Sequence, residues 1–159
     1  ELYGVEVHKE ICLQAAERLK KMGYSADLRS GDNRNIPFPD NFFDYIASWD
    51  VLHYEGQEKN IIEAIAEYKR VLKPGGRLFL STVAPNHSIF RNSKSLGNHR
   101  REIVREDEFR KGQVFFCVDG PDNLKLYFSK YFSDVLVGRA KLDYFIEVND
   151  TYIVTGIKE

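Results

Sequence analysis

The sequence predicts an α/β domain built on a mostly parallel sheet, and three observations lead there. Strand-like and helix-like segments follow one another in alternation over the first half of the chain. The strands read as continuous apolar runs, as strands buried on both faces must, and the intervening segments are long enough to be crossovers. The 159 residues, 43% hydrophobic and 13% aromatic, suffice for one sizeable core, so a single domain over 1–159 is expected.

Leu2-Tyr3-Gly4-Val5-Glu6-Val7 reads as a buried strand with no capping or turn residue ahead of it, so a segment upstream of Glu1 is expected. Between Lys9 and Met22, the residues Ile11, Cys12, Ala15, Ala16, Leu19 and Met22 recur at helical spacing, and Gly23 is placed to end that helix. A short strand fits Ala26 to Ser30. The turn-rich Gly31-Asp32-Asn33-Arg34-Asn35-Ile36-Pro37-Phe38-Pro39-Asp40-Asn41 then leads into the apolar run Phe42 to Trp49, with a buried strand at Asp44-Tyr45-Ile46-Ala47-Ser48. From Gln57 to Leu72 a second stripe of Ile61, Ile62, Ile65, Ala66, Tyr68, Val71 and Leu72 predicts a helix, halted by Lys73-Pro74-Gly75-Gly76. Arg77 to Val83 is the next buried strand.

The alternation then lapses. Pro85 to Arg105 is polar, and too long and basic for a simple connection, so a lid or substrate loop is expected. Beyond it the pattern predicts a strand at Gln113 to Val118 and a helix from Pro121 to about Tyr131. Extended segments at Asp134 to Ile146 and Thr151 to Lys158 form a hairpin through Glu147-Val148-Asn149-Asp150.

The 23 Lys and Arg against 24 Asp and Glu argue against sequence-independent binding of nucleic acid, which rests on net positive charge. No apolar run approaches the roughly 18 residues of a membrane span, and no cleavable leader pattern opens the chain. Cys12 and Cys117 have neither CxxC nor metal-ligand spacing, and His87 and His99 fall in a polar loop without a ligand set. A soluble protein of the reducing cytoplasm, without a metal site, is expected.

In an open parallel sheet, ligands bind beyond the carboxyl ends of the strands. Glu6 lies there, where its carboxylate could accept two hydrogen bonds from a ribose or cap the following helix, with Val7 as an apolar wall for a base. Asp32 could accept from an exocyclic amine while the Asn33 N–H faces a ring nitrogen; the same Gly-Asp-Asn also favours a ligand-free Asx-turn. After the next strand come Ser48-Trp49-Asp50-Val51-Leu52-His53-Tyr54, with Trp49 either at the mouth or in the core.

The order of these residues carries a resemblance. Gly31-Asp32-Asn33-Arg34-Asn35-Ile36-Pro37-Phe38 through Phe43-Asp44-Tyr45-Ile46 resembles the G-D-x-x-x-L-P-F-x-x-x-x-F-D segment of class I S-adenosylmethionine-dependent methyltransferases. Arg70-Val71-Leu72-Lys73-Pro74-Gly75-Gly76 before Arg77-Leu78-Phe79-Leu80 is similar to that family's helix and fifth strand, and Gly4-Val5-Glu6-Val7 to its second strand. The resemblance covers residues 2 to about 84 and, more loosely, the final hairpin. It implies a Rossmann-like, doubly wound three-layer sandwich, a seven-stranded, mostly parallel sheet with a reversed last strand in a C-terminal antiparallel hairpin. It also implies S-adenosyl-L-methionine as cofactor, with S-adenosyl-L-homocysteine as product. Glu6 would take the ribose hydroxyls, Val7 the adenine face, and Asp32 with Asn33 the adenine edge, with Ser48 and Trp49 near the methionine. One departure stands out: the family's first strand and glycine-rich turn have no counterpart before Glu1.

Methyl transfer is an in-line displacement governed by positioning, with a general base only where the acceptor must lose a proton. His53 is the candidate base, its alternative being local packing at a helix start. Asp50 is the weaker choice, and His8 would border the adenosine. Arg91, Lys94, Arg100, Arg101 and Arg105 make the long loop basic, which fits either a small anionic acceptor, such as a sugar or other metabolite, or a solvated loop. The rivals are a non-catalytic binding subunit of the same fold and a nicotinamide-dependent dehydrogenase, whose downstream catalytic set is missing here.

Overall fold

Two β-α-β units organise the N-terminal half. The first is β1 (Tyr3–Glu6), α1 (Lys9–Lys21) and β2 (Asp27–Ser30), with β1 and β2 parallel from Tyr3 opposite Asp27 to Glu6 opposite Ser30. The second is β3 (Phe43–Ser48), α2 (Glu58–Val71) and β4 (Leu72–Val83), again parallel, with a 3₁₀ turn at Leu52–Glu55 before the helix. The computed structural model from which these elements are taken describes residues 1–159.

The C-terminal half completes the larger sheet. After α3 (Pro121–Phe128) the chain forms a long hairpin, written here as β8 (Ser133–Tyr144) and β9 (Glu147–Ile157), and β9 pairs antiparallel with β4. The strand order is β3-β4-β9-β8. Helix α2 buries Ile61, Ala64, Ile65, Tyr68 and Val71 against Leu78 and Leu80 of β4 and Val154 of β9. Their spacing of three and four residues puts all five on one face, and each fully buried Ile or Leu there contributes about 1.5–3 kcal/mol.

The basic stretch from residue 85 contains more regular structure than its sequence predicts. β5 (Lys94–Gly97), β6 (Arg100–Glu102) and β7 (Val114–Phe116) make a separate antiparallel sheet over a second cluster of Val83, Ile89, Phe90, Ile103, Phe115 and Cys117. Other differences are local. β4 starts at Leu72 instead of Arg77, because Leu72 already pairs with Phe43. α3 ends at Phe128, three residues short of Tyr131.

The continuous seven-stranded sheet implied by the resemblance is here two parallel strands and a separate group of four, since no strand of residues 1–159 lies between β1 and β3. On the face away from α2, Tyr45 is 74% exposed and Phe79 41% exposed. The two-stranded unit is instead tied in through aromatic contacts, Tyr3 packing edge-on against Phe38, Phe42 and Phe43 at centroid distances of 5.5, 5.0 and 5.6 Å.

Arg70 fastens the turn-rich segment to α2. Its Nε and Nη2 grip the Glu67 carboxylate at 2.8 and 2.7 Å, Nη1 donates to Phe38 O (3.0 Å) and Asp40 Oδ1 (2.6 Å), and Nη2 also donates to Ile36 O (2.9 Å). All five N–H donors of the guanidinium are thereby used, a geometry that lysine cannot reproduce. Glu67 in turn accepts from Ile36 N at 2.9 Å, and Arg70 holds its carboxyl below the usual carboxylate range.

Arg70→Lys is therefore expected to cost about 1–3 kcal/mol in urea unfolding. Because the folded pKa of Glu67 is depressed, the pair stabilises the fold above the ordinary value of 4.5 and loses that contribution as pH falls through the folded value. The variant should show a shallower acid limb than the wild type; parallel limbs would refute this account.

Candidate active site

The carboxyl ends of the parallel strands are drawn together by their own hydrogen bonds. Gly31 N donates to Glu6 O at 3.1 Å and Ser30 Oγ to Val7 O at 3.1 Å, so Glu6-Val7 and Gly31-Asp32-Asn33 lie side by side. Gly31 has no room for a side chain: a Cβ would stand 2.7 Å from Pro37 Cδ and 2.9 Å from Asn35 O.

Each acid there keeps one oxygen engaged. Glu6 Oε1 accepts from His8 N at 3.2 Å, where α1 begins, while Oε2 has no partner in the chain. Asp32 Oδ1 accepts from Arg34 N at 2.8 Å and Asp32 O from Asn35 N at 3.1 Å, which is the Asx-turn its sequence favours. Its Oδ2 stays open. Cap and turn thus coexist with a free carboxylate oxygen, and the main-chain N–H of Asn33 donates to nothing within the chain.

Ser48 and Asn33 are joined through a residue that periodicity alone assigns to the core. Tyr68 Oη lies 3.0 Å from Ser48 Oγ and 2.9 Å from Asn33 Oδ1. Asn33 Nδ2 donates to Glu55 Oε1 at 3.1 Å, and Arg34 Nε meets Glu55 Oε2 at 3.0 Å. A tyrosine in a buried helical stripe is itself a signal, since its hydroxyl needs a partner.

Beyond β3 the backbone turns sharply at Asp50, whose φ of 50° is held by its N–H on Ser81 Oγ (2.8 Å) and by Ser81 Oγ on its Oδ1 (2.7 Å). Trp49 is thrown outward, 59% exposed and stacked on Phe79 at 5.9 Å; it is a surface residue, as a place at the mouth requires. His53 goes the other way. It is 3% exposed, packed between Tyr54 and Phe115 at 4.5 and 4.9 Å, and its Nδ1 has no hydrogen-bond partner. Burial, with the positive fields of His87 and Arg110, pushes its pKa down to about 3.

A cavity of about 190 Å³ is bounded by Asn86, His87, Ser88, Phe90, Arg91 and Val148, and His53 is not among its lining residues. His87 Nδ1 accepts from Ile89 N at 3.1 Å, which assigns its proton to Nε2 and makes that atom a donor. Of the five cations in the long loop, most are engaged internally. Arg101 bonds Ser93 Oγ (2.9 Å), Arg105 pairs with Asp107 (3.0 Å) and Arg100 reaches Leu96 O (3.4 Å), whereas Arg91 borders the cavity while donating to Ile146 O (2.6 Å). No three His, Cys, Asp or Glu side chains converge in metal-binding geometry.

Residues 1–80 match the family model described as "Methyltransferase domain". The chain belongs to the class I S-adenosylmethionine-dependent methyltransferase family. A demethylmenaquinone methyltransferase of Staphylococcus saprophyticus is 32% identical over 97 residues, 60% of this chain and 40% of that protein. A mouse probable tRNA methyltransferase 9B is 47% identical over 49 residues, 31% of this chain and 11% of the other. This chain therefore spans less than half the length of these relatives. Among solved structures, a SAM-dependent methyltransferase of Methanosarcina mazei superposes with a TM-score of 0.78 at 16% identity, over 98% of this chain and 81% of that one. The α/β fold expected from the sequence is thus the family's fold, and S-adenosylmethionine is the cofactor this membership implies.

Burial of His53 has a titration consequence. Between pH 6.5 and about 3 the unfolded chain binds a proton that the folded imidazole refuses, so stability falls as pH falls across that window. His53→Leu is expected to flatten this slope in urea midpoints, and the His53 ring signals in NMR should keep their neutral shifts down to about pH 4.

Proposed function

We propose that this protein transfers a methyl group from S-adenosylmethionine to a small-molecule acceptor. The observation that supports the reading is that Glu6-Val7 and Asp32-Asn33 lie side by side with unpartnered polar atoms and that Ser48 is linked to Asn33 through Tyr68. The Glu6 oxygen left open would take ribose hydroxyls, Val7 would cover the adenine face, and the Asp32 Oδ2 and Asn33 N–H would read the adenine edge. Ser48 and Trp49 would flank the methionine part. The cofactor supplies an electrophilic methyl group on a sulfonium, and the chain's own task is to position the acceptor and exclude water.

The acceptor would enter the cavity beside His87 and Arg91. His87 Nε2–H would orient an acceptor oxygen or nitrogen, and Arg91 is the cation placed to receive an anionic group on the same molecule. His53 does not line that cavity, and its depressed pKa makes full protonation costly and limits it as a base. The length from 85 to 105 would serve as the substrate loop. The net charge of −1 favours a small molecule over nucleic acid. Both cysteines are free and buried, which fits a reducing cytoplasm, and no helix is long and apolar enough to cross a membrane.

Calorimetric titration with S-adenosylhomocysteine and with NADH tests the reading. Binding of the former, weakened about tenfold or more by Glu6→Ala, is the expected outcome, as loss of a charge-assisted pair of hydrogen bonds predicts. NADH binding with no response to S-adenosylhomocysteine would replace it with the dehydrogenase alternative. In a methyl-transfer assay, Arg91→Ala should raise KM for an anionic acceptor and leave kcat nearly unchanged.

A further inference from the structure

We infer that Tyr68 and Glu55, which hold Asn33 from behind and have no assigned contact with the cofactor, are positioning residues that set the preference of this site for adenine over other purines. The inference rests on the cofactor reading above and assigns a role to two side chains outside it.

The polarity of the hydrogen-bond chain has a single solution. The Glu55 carboxylate has no proton to give and is already paired with Arg34, so the Asn33 side chain must present its NH₂ there. Asn33 Oδ1 is then an acceptor, and it takes the one proton of Tyr68. Tyr68 must accept in turn from Ser48, whose hydroxyl proton is thereby committed inward. Four side chains from β3, the 3₁₀ turn, α2 and the turn after β2 are locked in one direction.

Both ends of the Asn33 side-chain amide are pinned, and Asn33 is the residue whose main-chain N–H, next to Asp32, has no partner within the chain. A donor N–H next to a carboxylate acceptor matches the ring nitrogen and exocyclic amine of adenine. Hypoxanthine carries a carbonyl where adenine has that amine, so it would face the Asp32 carboxylate as acceptor to acceptor. Such discrimination requires the turn to be held still. A mobile turn could rotate the carboxylate away and tolerate either base.

Tyr68 is 2% exposed, and Ser48 is also buried, so the two bonds of the phenol are made where water does not readily substitute. Tyr68→Phe keeps the ring in the core and removes only the hydroxyl. It leaves Asn33 Oδ1 and Ser48 Oγ without their partner and frees the Asn33 side chain to turn.

The test compares S-adenosylhomocysteine with S-inosylhomocysteine by calorimetry on the full chain, with thermal unfolding of each variant alongside. The wild type should prefer the adenine compound, and Tyr68→Phe should reduce that preference by about fivefold or more, chiefly by weakening the adenine compound. Glu55→Ala should do the same, whereas Glu55→Gln, which can still accept from Asn33, should retain most of the preference. Equal weakening of both compounds in Tyr68→Phe, or an unchanged ratio, would overturn the proposal and leave the cofactor reading intact. A wild type that binds neither compound would overturn both. Should Tyr68→Phe fail to fold, the Glu55 pair of variants gives the same decision.

Discussion

The arrangement depends first on one guanidinium. Arg70 uses every donor it has, and its acceptors belong to the helix that carries it and to the loop between β2 and β3. That loop, from Gly31 to Asn41, has no regular structure of its own and two prolines that cannot donate. Without an external clamp its carbonyls would turn to water, and the Asx-turn at its start would move with them. Helix α2 supplies the clamp within a single turn: Glu67 holds Ile36 N, Tyr68 holds Asn33, and Arg70 holds Ile36, Phe38 and Asp40. The far side of the same loop is secured by Lys158, whose Nζ reaches Asn41 Oδ1 at 2.8 Å and Leu72 O at 2.8 Å.

The site is consequently a surface whose rigidity is supplied from beneath. Glu6, Asp32 and Asn33 present free atoms outward because their other atoms are used inward, in a helix start, an Asx-turn and a side-chain relay. The two sides differ in character. Around Glu6, Asp32 and Asn33 the groups are partly solvated, while His53 is enclosed by Tyr54 and Phe115 and kept neutral.

What the sequence made legible follows from what local patterns encode. The strand-helix-strand order, and hence the placing of Glu6, Asp32 and Ser48 beyond strand ends, could be read because periodicity of two or 3.6 residues reports which face is buried. The same periodicity conceals the role of Tyr68. It counts the ring as apolar and says nothing of where the hydroxyl goes. His53 was legible as a histidine at a strand end, but its enclosure comes from Phe115, sixty residues later, which no local window contains. β5 and β6 were hidden for a related reason: three or four residues each, rich in Lys, Arg and Ser, they are strands only because Arg100–Glu102 finds Val114–Phe116 and closes over Phe115. Tertiary context there overrides weak local preference.

One topological feature reaches beyond the finished molecule. β9 follows β4 and β8 in the chain, yet it lies between them, flanked along its length. While the chain is still being synthesised, β4 and the edge that will receive β9 therefore wait with unsatisfied main-chain groups, and they can be satisfied only after residues 151–157 have left the ribosome. The central sheet must close late, through contacts about seventy residues apart in sequence, which is the condition under which a nascent chain is slow and needs protection of its open edges.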